Sequence, residues 1–174
     1  MSDADKLKAA VRDIPDFPQE GIIFKDITPI LSDPALFKIA IDIFSERCQQ
    51  KNATSIAAID ARGFLFAGAV CDRLAISLVP VRKQGKLPYK TYEESYDLEY
   101  GSATLAVHQD AFEKGSKVVI MDDLLATGGT AGATVKLVEQ AGGDVVGVDF
   151  LIELSFLNGR DKLGGKDVFA PIVY

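Results

Sequence analysis

The stretch 118–130, VVIMDDLLATGGT, joins four apolar residues to an aspartate pair and then to a turn almost free of bulky side chains. The apolar run reads as a buried strand. In an open parallel sheet, ligands sit beyond the carboxyl ends of the strands, and Asp122 and Asp123 are expected at such an end. Successive strand residues point to opposite faces, so the two carboxylates are expected to do different jobs without repelling at close range. One can accept hydrogen bonds from a vicinal diol; the other can orient the loop or reach a metal through water. In Thr127-Gly128-Gly129-Thr130 the glycines let the backbone approach a ligand. Hydroxyls and N–H groups then gather where a helix N-terminus favours an anion, which makes a phosphate cradle. No GxxxxGK[ST] or GxGxxG accompanies it, so neither a Walker loop nor a dinucleotide fingerprint is implied.

The rest of the chain alternates in the same way. Runs at 55–60, 76–81, 117–121 and 144–152 read as strands, and stretches after Asp33-Pro34, Arg62-Gly63 and Gly128 read as helices. Asp33 is placed to cap, Pro34 to occupy the first helical turn, and Phe37, Ile41 and Phe44 to form the buried stripe. Strands alternating with helices imply an α/β fold: an open, mainly parallel twisted sheet flanked by helices. With 174 residues and no linker-like tract, the expectation is a single domain, 1–174. Residues 83–101 differ, being rich in tyrosine, carboxylate and lysine, and read either as a lid or as a solvated hairpin.

Bulk composition excludes several classes. The net charge is −6 with no basic stripe, which disfavours nucleic acid as a partner. No apolar run is long enough to cross a bilayer, and the charged N-terminus lacks a signal-peptide core. Cys48 and Cys71 form no CxxC and have no neighbouring His in sequence, so neither a disulfide framework nor a zinc site is suggested. A cytoplasmic setting is expected. His108, the only histidine, sits on an alternating run and is given no catalytic role.

The stretch 118–130 resembles the phosphoribosyl-pyrophosphate motif of the type I phosphoribosyltransferases. Three more stretches, FPQEGIIFKDITPIL (17–31), IDARGFLFAGAV (59–70) and RKQGKLPYKTYEESYDLEYGSATLAVHQDA (82–111), are similar to the adenine phosphoribosyltransferases within that family. LIELSFLNGRDKL (151–163) extends the likeness over nearly the whole chain. The resemblance implies transfer of a phosphoribosyl group from phosphoribosyl pyrophosphate to adenine, giving AMP and pyrophosphate, with Mg²⁺. It also implies a homodimer, an N-terminal hood at 1–33 and a mobile catalytic loop at 83–101.

The resemblance further implies the site. Ala126, Thr127, Gly128, Gly129 and Thr130 would hold the 5′-phosphate, and Asp122 and Asp123 the ribose diol. Arg62, Arg82, Lys83 and Lys86 would handle pyrophosphate, with Mg²⁺ held mainly through pyrophosphate and water and not directly by protein. Phe17, Ile23, Phe24 and Lys25 would take the adenine, with Ala126 and Leu154 on its other side. Lys25 departs from an Arg common in the family, keeping charge while losing planar stacking. Glu99 matches the catalytic carboxylate, as base or as the acid that fixes the purine tautomer, with Tyr100 beside it. Strain is expected in the loop 60–63. The rival expectations are a transferase for a 6-oxopurine (guanine, xanthine or hypoxanthine) and a purine-responsive regulator without catalysis.

Overall fold

Two kinds of local signal organise the chain: helix caps in its first third, and buried apolar runs in the remainder. The computed structural model describes residues 1–98 and 101–174, so Glu99 and Tyr100 lie outside the described residues. Two compact units are present, Met1–Ile43 and Phe44–Tyr174, and the boundary between them falls within one helix.

In the first unit, helix α1 (Asp3–Ala10) opens on a capping box. The Ser2 hydroxyl accepts from the Asp5 N–H at 3.1 Å, and the Asp5 carboxylate accepts from the Ser2 N–H at 2.9 Å. Strands β1 (Arg12–Pro15) and β2 (Ile23–Asp26) then pair antiparallel, with Ile14 opposite Phe24. A short helix, α2 (Thr28–Ser32), precedes α3 (Pro34–Gln50). Asp33 caps α3 as its sequence position suggests, accepting from the N–H groups of Ala35 (2.8 Å) and Leu36 (3.2 Å). Pro34 stands where a missing N–H costs nothing.

The second unit carries a mixed sheet flanked by helices. Its elements are β3 (Ser55–Ile59), α4 (Gly63–Leu74), β4 (Ser77–Lys83), β5 (Thr91–Asp97) and β6 (Ser102–His108). They continue with β7 (Lys117–Leu125), α5 (Gly129–Gln140), β8 (Asp144–Glu153), β9 (Val168–Phe169) and β10 (Ile172–Val173). Among the described residues the strand order is β10-β8-β7-β3-β4-β6-β5, with β9 also on β8. The strands from β10 to β4 run parallel, while β6 and β5 are antiparallel. Period two divides the buried residues: Ala57, Ile59, Val118 and Ile120 join a core with Ala131, Val135 and Val138 of α5. Ile56, Ala58, Val119 and Met121 alternate with them and are equally buried.

Two differences from the sequence reading have physical causes. β7 continues to Leu125 because Leu124 and Leu125 keep pairing with Ile152 and Glu153 of β8, so the aspartate pair lies within the strand. In the stretch 83–101, Thr91–Asp97 forms a strand paired with β6 from Thr91–His108 to Asp97–Ser102. Its inward residues, Tyr92, Glu94 and Tyr96, alternate with exposed Glu93, Ser95 and Asp97, a pattern masked by the high charge.

One buried ion pair stands apart from the apolar core. Asp149 on β8 is fully buried, with Oδ1 3.3 Å from Arg47 Nε; Oδ2 has no hydrogen-bond partner among the described residues. Arg47 also reaches Asp167 at 2.8 Å and lies over the Phe169 ring, while Lys51 joins Asp167. Burial pushes the Asp149 carboxyl up to about 7, and Arg47 offsets only part of this. Cys48 and Cys71 are free and buried, which raises them to about 12 and about 11 and keeps both as thiols. Among the described residues no helix is long and apolar enough to cross a membrane.

A carboxyl whose folded pKa lies above its unfolded value binds more protons in the native state. Its contribution therefore falls as pH rises from the ordinary Asp value, 3.8, to about 7. Asp149→Asn should flatten the decline in stability across that window, measured as urea midpoints at a series of pH values. An unchanged slope would refute the assignment.

Candidate active site

The site in the second unit is built from the carboxyl ends of β3 and β7 and the loop that leads into α5. Asp123 is buried and its Oδ2 lies 2.6 Å from Arg62 Nε, at the start of α4. Asp122 is half-buried, and its side chain folds back so that Oδ1 accepts the Asp123 N–H at 2.8 Å. Burial raises the Asp122 carboxyl well above the usual carboxylate range, and the neighbouring charge of Asp123 adds to this. The two carboxylates thus have different partners: Asp122 folds back onto the backbone N–H of Asp123, while Asp123 meets Arg62. Gly63 makes room for this, since a Cβ there would lie 2.6 Å from the Met121 carbonyl oxygen.

The loop after β7 forms a small concave cradle of about 90 Å³, lined by Asp122, Leu124 to Ala131 and Phe150. Gly128 caps α5 with φ +81°, in the left-handed region, and its carbonyl accepts the Gly132 N–H at 2.8 Å. The turn at 158–163 forms the floor: a Cβ on Gly128 would overlap the Gly159 carbonyl oxygen, and one on Gly159 would overlap that of Ala126. That turn is itself anchored by Arg160, whose Nε and Nη2 donate to both oxygens of buried Glu153 at 2.7 and 2.6 Å. Leu154 is tied to the cradle's first residue pair through its N–H, which donates to the Leu125 carbonyl at 2.9 Å.

A second cavity of about 330 Å³ brings together Asp60, Ala61, Arg62, Lys83, Tyr96, Asp122, Asp123 and Thr130. The Asp60–Ala61 peptide is cis, in the loop where an unusual backbone is expected. Arg82 Nε donates to Asp60 Oδ2 at 2.9 Å and its Nη1 to the Lys86 carbonyl at 3.3 Å. Four predicted residues, Arg62, Lys83, Asp122 and Asp123, therefore meet Thr130 in one cavity; Arg82 and Lys86 do not line it, and Arg82 joins it through Asp60.

In the first unit, Phe17 and Phe24 pack edge to face with centroids 5.2 Å apart, and Phe17 and Ile23 are more than half exposed. The Lys25 ammonium is 2.7 Å from Asp13 on the partner strand, so its charge is already committed to a carboxylate. Glu99 and Tyr100, the expected catalytic carboxylate and its neighbour, lie outside the described residues.

Carboxylates of β7, a glycine-rich turn at a helix start and nearby guanidinium and ammonium groups thus meet at one end of the sheet. Residues 26–162 match the family described as Phosphoribosyl transferase domain. An adenine phosphoribosyltransferase of Thermotoga sp. is 54% identical over 168 residues, covering 97% of this chain and 99% of the relative. That of Christiangramia forsetii is 49% identical over 169 residues, covering 97% and 99%. The crystal structure of the Thermoanaerobacter pseudethanolicus enzyme superposes with a TM-score of 0.94 at 48% identity, covering 98% of this chain and 99% of that one. The Saccharomyces cerevisiae enzyme, solved with adenine and an imino-altritol bisphosphate, gives 0.93 at 40%, covering 97% and 98%. The chain belongs to the adenine phosphoribosyltransferase family.

Tyr96 and Gly159 were not expected at the site. Period two from Tyr92 could have flagged Tyr96; only the close backbone approach reveals Gly159. Because a Cβ at Gly159 would force the cradle to shift, overpacking of about 1–3 kcal/mol is expected. Gly159→Ala should weaken binding of ribose 5-phosphate at least about fivefold by calorimetry. Wild-type affinity in that variant would show that the floor does not shape the cradle.

Proposed function

We propose that this chain transfers the 5-phosphoribosyl group from phosphoribosyl pyrophosphate to adenine, giving AMP and pyrophosphate. The observation that carries the reading is the cavity shared by Arg62, Lys83, Asp122, Asp123 and Thr130, with the cradle of residues 124–131 also lined by Asp122. The substrate has three polar parts, and the residues separate into matching groups. N–H groups and hydroxyls of Ala126 to Thr130, at the start of α5, take the 5′-phosphate. Asp122 and Asp123 accept from the ribose hydroxyls; donors arriving at Asp122 relieve the cost of ionising a buried carboxyl. Arg62 and Lys83, with Arg82 and Lys86, receive the pyrophosphate.

In the reaction the bond from C1′ to pyrophosphate oxygen breaks and a bond from adenine N9 to C1′ forms. The transition state has oxocarbenium character, so its catalysis rests on holding the sugar and stabilising the departing anion. Adenine loses its imidazole proton as N9 bonds C1′: Glu99 takes that proton, or Glu99 as an acid at N7 fixes the tautomer while the departing pyrophosphate takes it. Phe17, Ile23, Phe24, Lys25, Ala126 and Leu154 are assigned to the purine, and Tyr100 to shielding it. The Trypanosoma brucei relative, solved with AMP, pyrophosphate and ribose 5-phosphate, is named for the same chemistry.

Mg²⁺ would be held here mainly through pyrophosphate and water, which suits an ion that keeps several waters, with the hard carboxylate oxygens of Asp122 and Asp123 reaching it only through water. When bound it neutralises charge on the leaving pyrophosphate. The protein's own task is to orient that leaving group and the ribose.

Incubation with phosphoribosyl pyrophosphate, Mg²⁺ and each purine in turn should yield AMP from adenine and little product from guanine, xanthine or hypoxanthine. Guanine turnover in preference to adenine would transfer the assignment to the 6-oxopurines, and no turnover with any base would leave only a binding protein. Glu99→Ala should lower kcat at least about a hundredfold while changing phosphoribosyl-pyrophosphate affinity little. Equal losses in both would make Glu99 structural.

A further inference from the structure

We infer that Tyr96 is a positioning residue for the phosphate cradle, acting through the hydroxyl of Thr130. The inference rests on the proposal that residues 126–130 receive the 5′-phosphate. Tyr96 lies on the inward face of β5, in register with Ala103 of β6. Its ring packs against the core that includes Ala131 and Ala133 of α5, and Glu94, two residues earlier, holds Lys136 of α5 at 2.8 Å. The strand is thereby fixed along the helix whose first turn faces the anion.

The ring sits where Gly129 leaves space. A Cβ on Gly129 would lie 2.9 Å from Tyr96 Cδ2, so the glycine here is needed for the neighbour and not for its own backbone angle. Beyond the ring, the Tyr96 hydroxyl is 3.1 Å from Thr130 Oγ1, and both residues line the cavity shared with Asp122 and Asp123. In the structure the Thr130 hydroxyl donates to Tyr96.

A hydroxyl carries one proton and can accept as well as donate. While the Thr130 proton is spent on Tyr96, it is lost to an anion. An anion reaching Thr130 reverses the pair: Tyr96 O–H turns to donate into Thr130 Oγ1, and the Thr130 proton turns to the phosphate oxygen. Each donor then strengthens the next, and the last hydrogen bond is charge-assisted. No other atom moves far, because ring, strand and helix are already packed. Tyr96 therefore fixes the orientation of the Thr130 hydroxyl that serves the phosphate.

The test is Tyr96→Phe, which keeps the ring over Gly129 and removes only the hydroxyl. The KM for phosphoribosyl pyrophosphate should rise about fivefold to tenfold, with kcat and the KM for adenine within about twofold. Calorimetric affinity for ribose 5-phosphate should fall by the same factor as that KM rises. Thr130→Val should weaken binding at least as much, and Tyr96→Phe/Thr130→Val no more than Thr130→Val alone. Multiplicative losses in the double variant would overturn the inference. So would equal effects on adenine and phosphoribosyl pyrophosphate, or a Tyr96→Phe chain that fails to fold. If the wild-type protein does not turn over adenine, the proposed reaction fails, while ribose 5-phosphate binding still decides the role of Tyr96.

Discussion

The contact between two backbones, the cradle at 126–128 and the turn at 158–159, is the constraint on which the site depends. Neither strand of that contact tolerates a side chain: Gly128 meets the Gly159 carbonyl, and Gly159 meets the Ala126 carbonyl. The turn is held from below by the bidentate Glu153–Arg160 pair and by Arg160 Nη1, which donates to the Val168 carbonyl at 3.1 Å. The cradle is therefore half of a structure whose other half follows β8. Charge-assisted bidentate bonds have strict geometry, which suits a part that must hold a backbone in place.

Electrostatics at the site follow from the same economy of space. The chain is acidic, yet its ligand is a polyanion, so positive charge has to be concentrated locally. Arg62 sits on Asp123 and Arg82 on Asp60, each within hydrogen-bond distance. A guanidinium oriented by a carboxylate loses less freedom when it meets pyrophosphate than a solvated side chain would. The partner carboxylates lower the attraction for an anion in return, and Lys83, with no ion pair among the described residues, offsets this.

The order of strands and helices was legible because period and capping agreed at each step, most plainly at Asp33-Pro34. The β1–β2 hairpin was not: Pro15 and Pro18 interrupt the pattern, and no two-residue turn marks the reversal. β5 was hidden because hydrophobic period is a poor guide where alternate positions are Tyr, Glu and Tyr. In the candidate site, the placement of Asp122, Asp123 and the small residues of the cradle together could be read directly, because they follow one another along the end of one strand and its loop. Tyr96 and Gly159 could not, because their roles come from partners distant in sequence; Tyr96 and Thr130 are 34 residues apart. The backbone contact of the Asp122 carboxylate could not be read either, because strand alternation fixes the direction of Cβ but not the rotamer beyond it.

The two adjacent glycines of the TGGT turn show how far a motif can be divided into separate physical demands. Gly128 is required by a positive φ and by the Gly159 carbonyl, whereas Gly129 is required by the ring of Tyr96. Gly132, one turn on, is approached by the Lys162 carbonyl, which would lie 2.8 Å from a Cβ there. Small residues thus mark the side of the loop where other parts of the protein come in. That side is occupied by the turn at 158–162 and by β5. The loop is small because its neighbours are close, and the proposed phosphate site lies in the cradle that this packing leaves open.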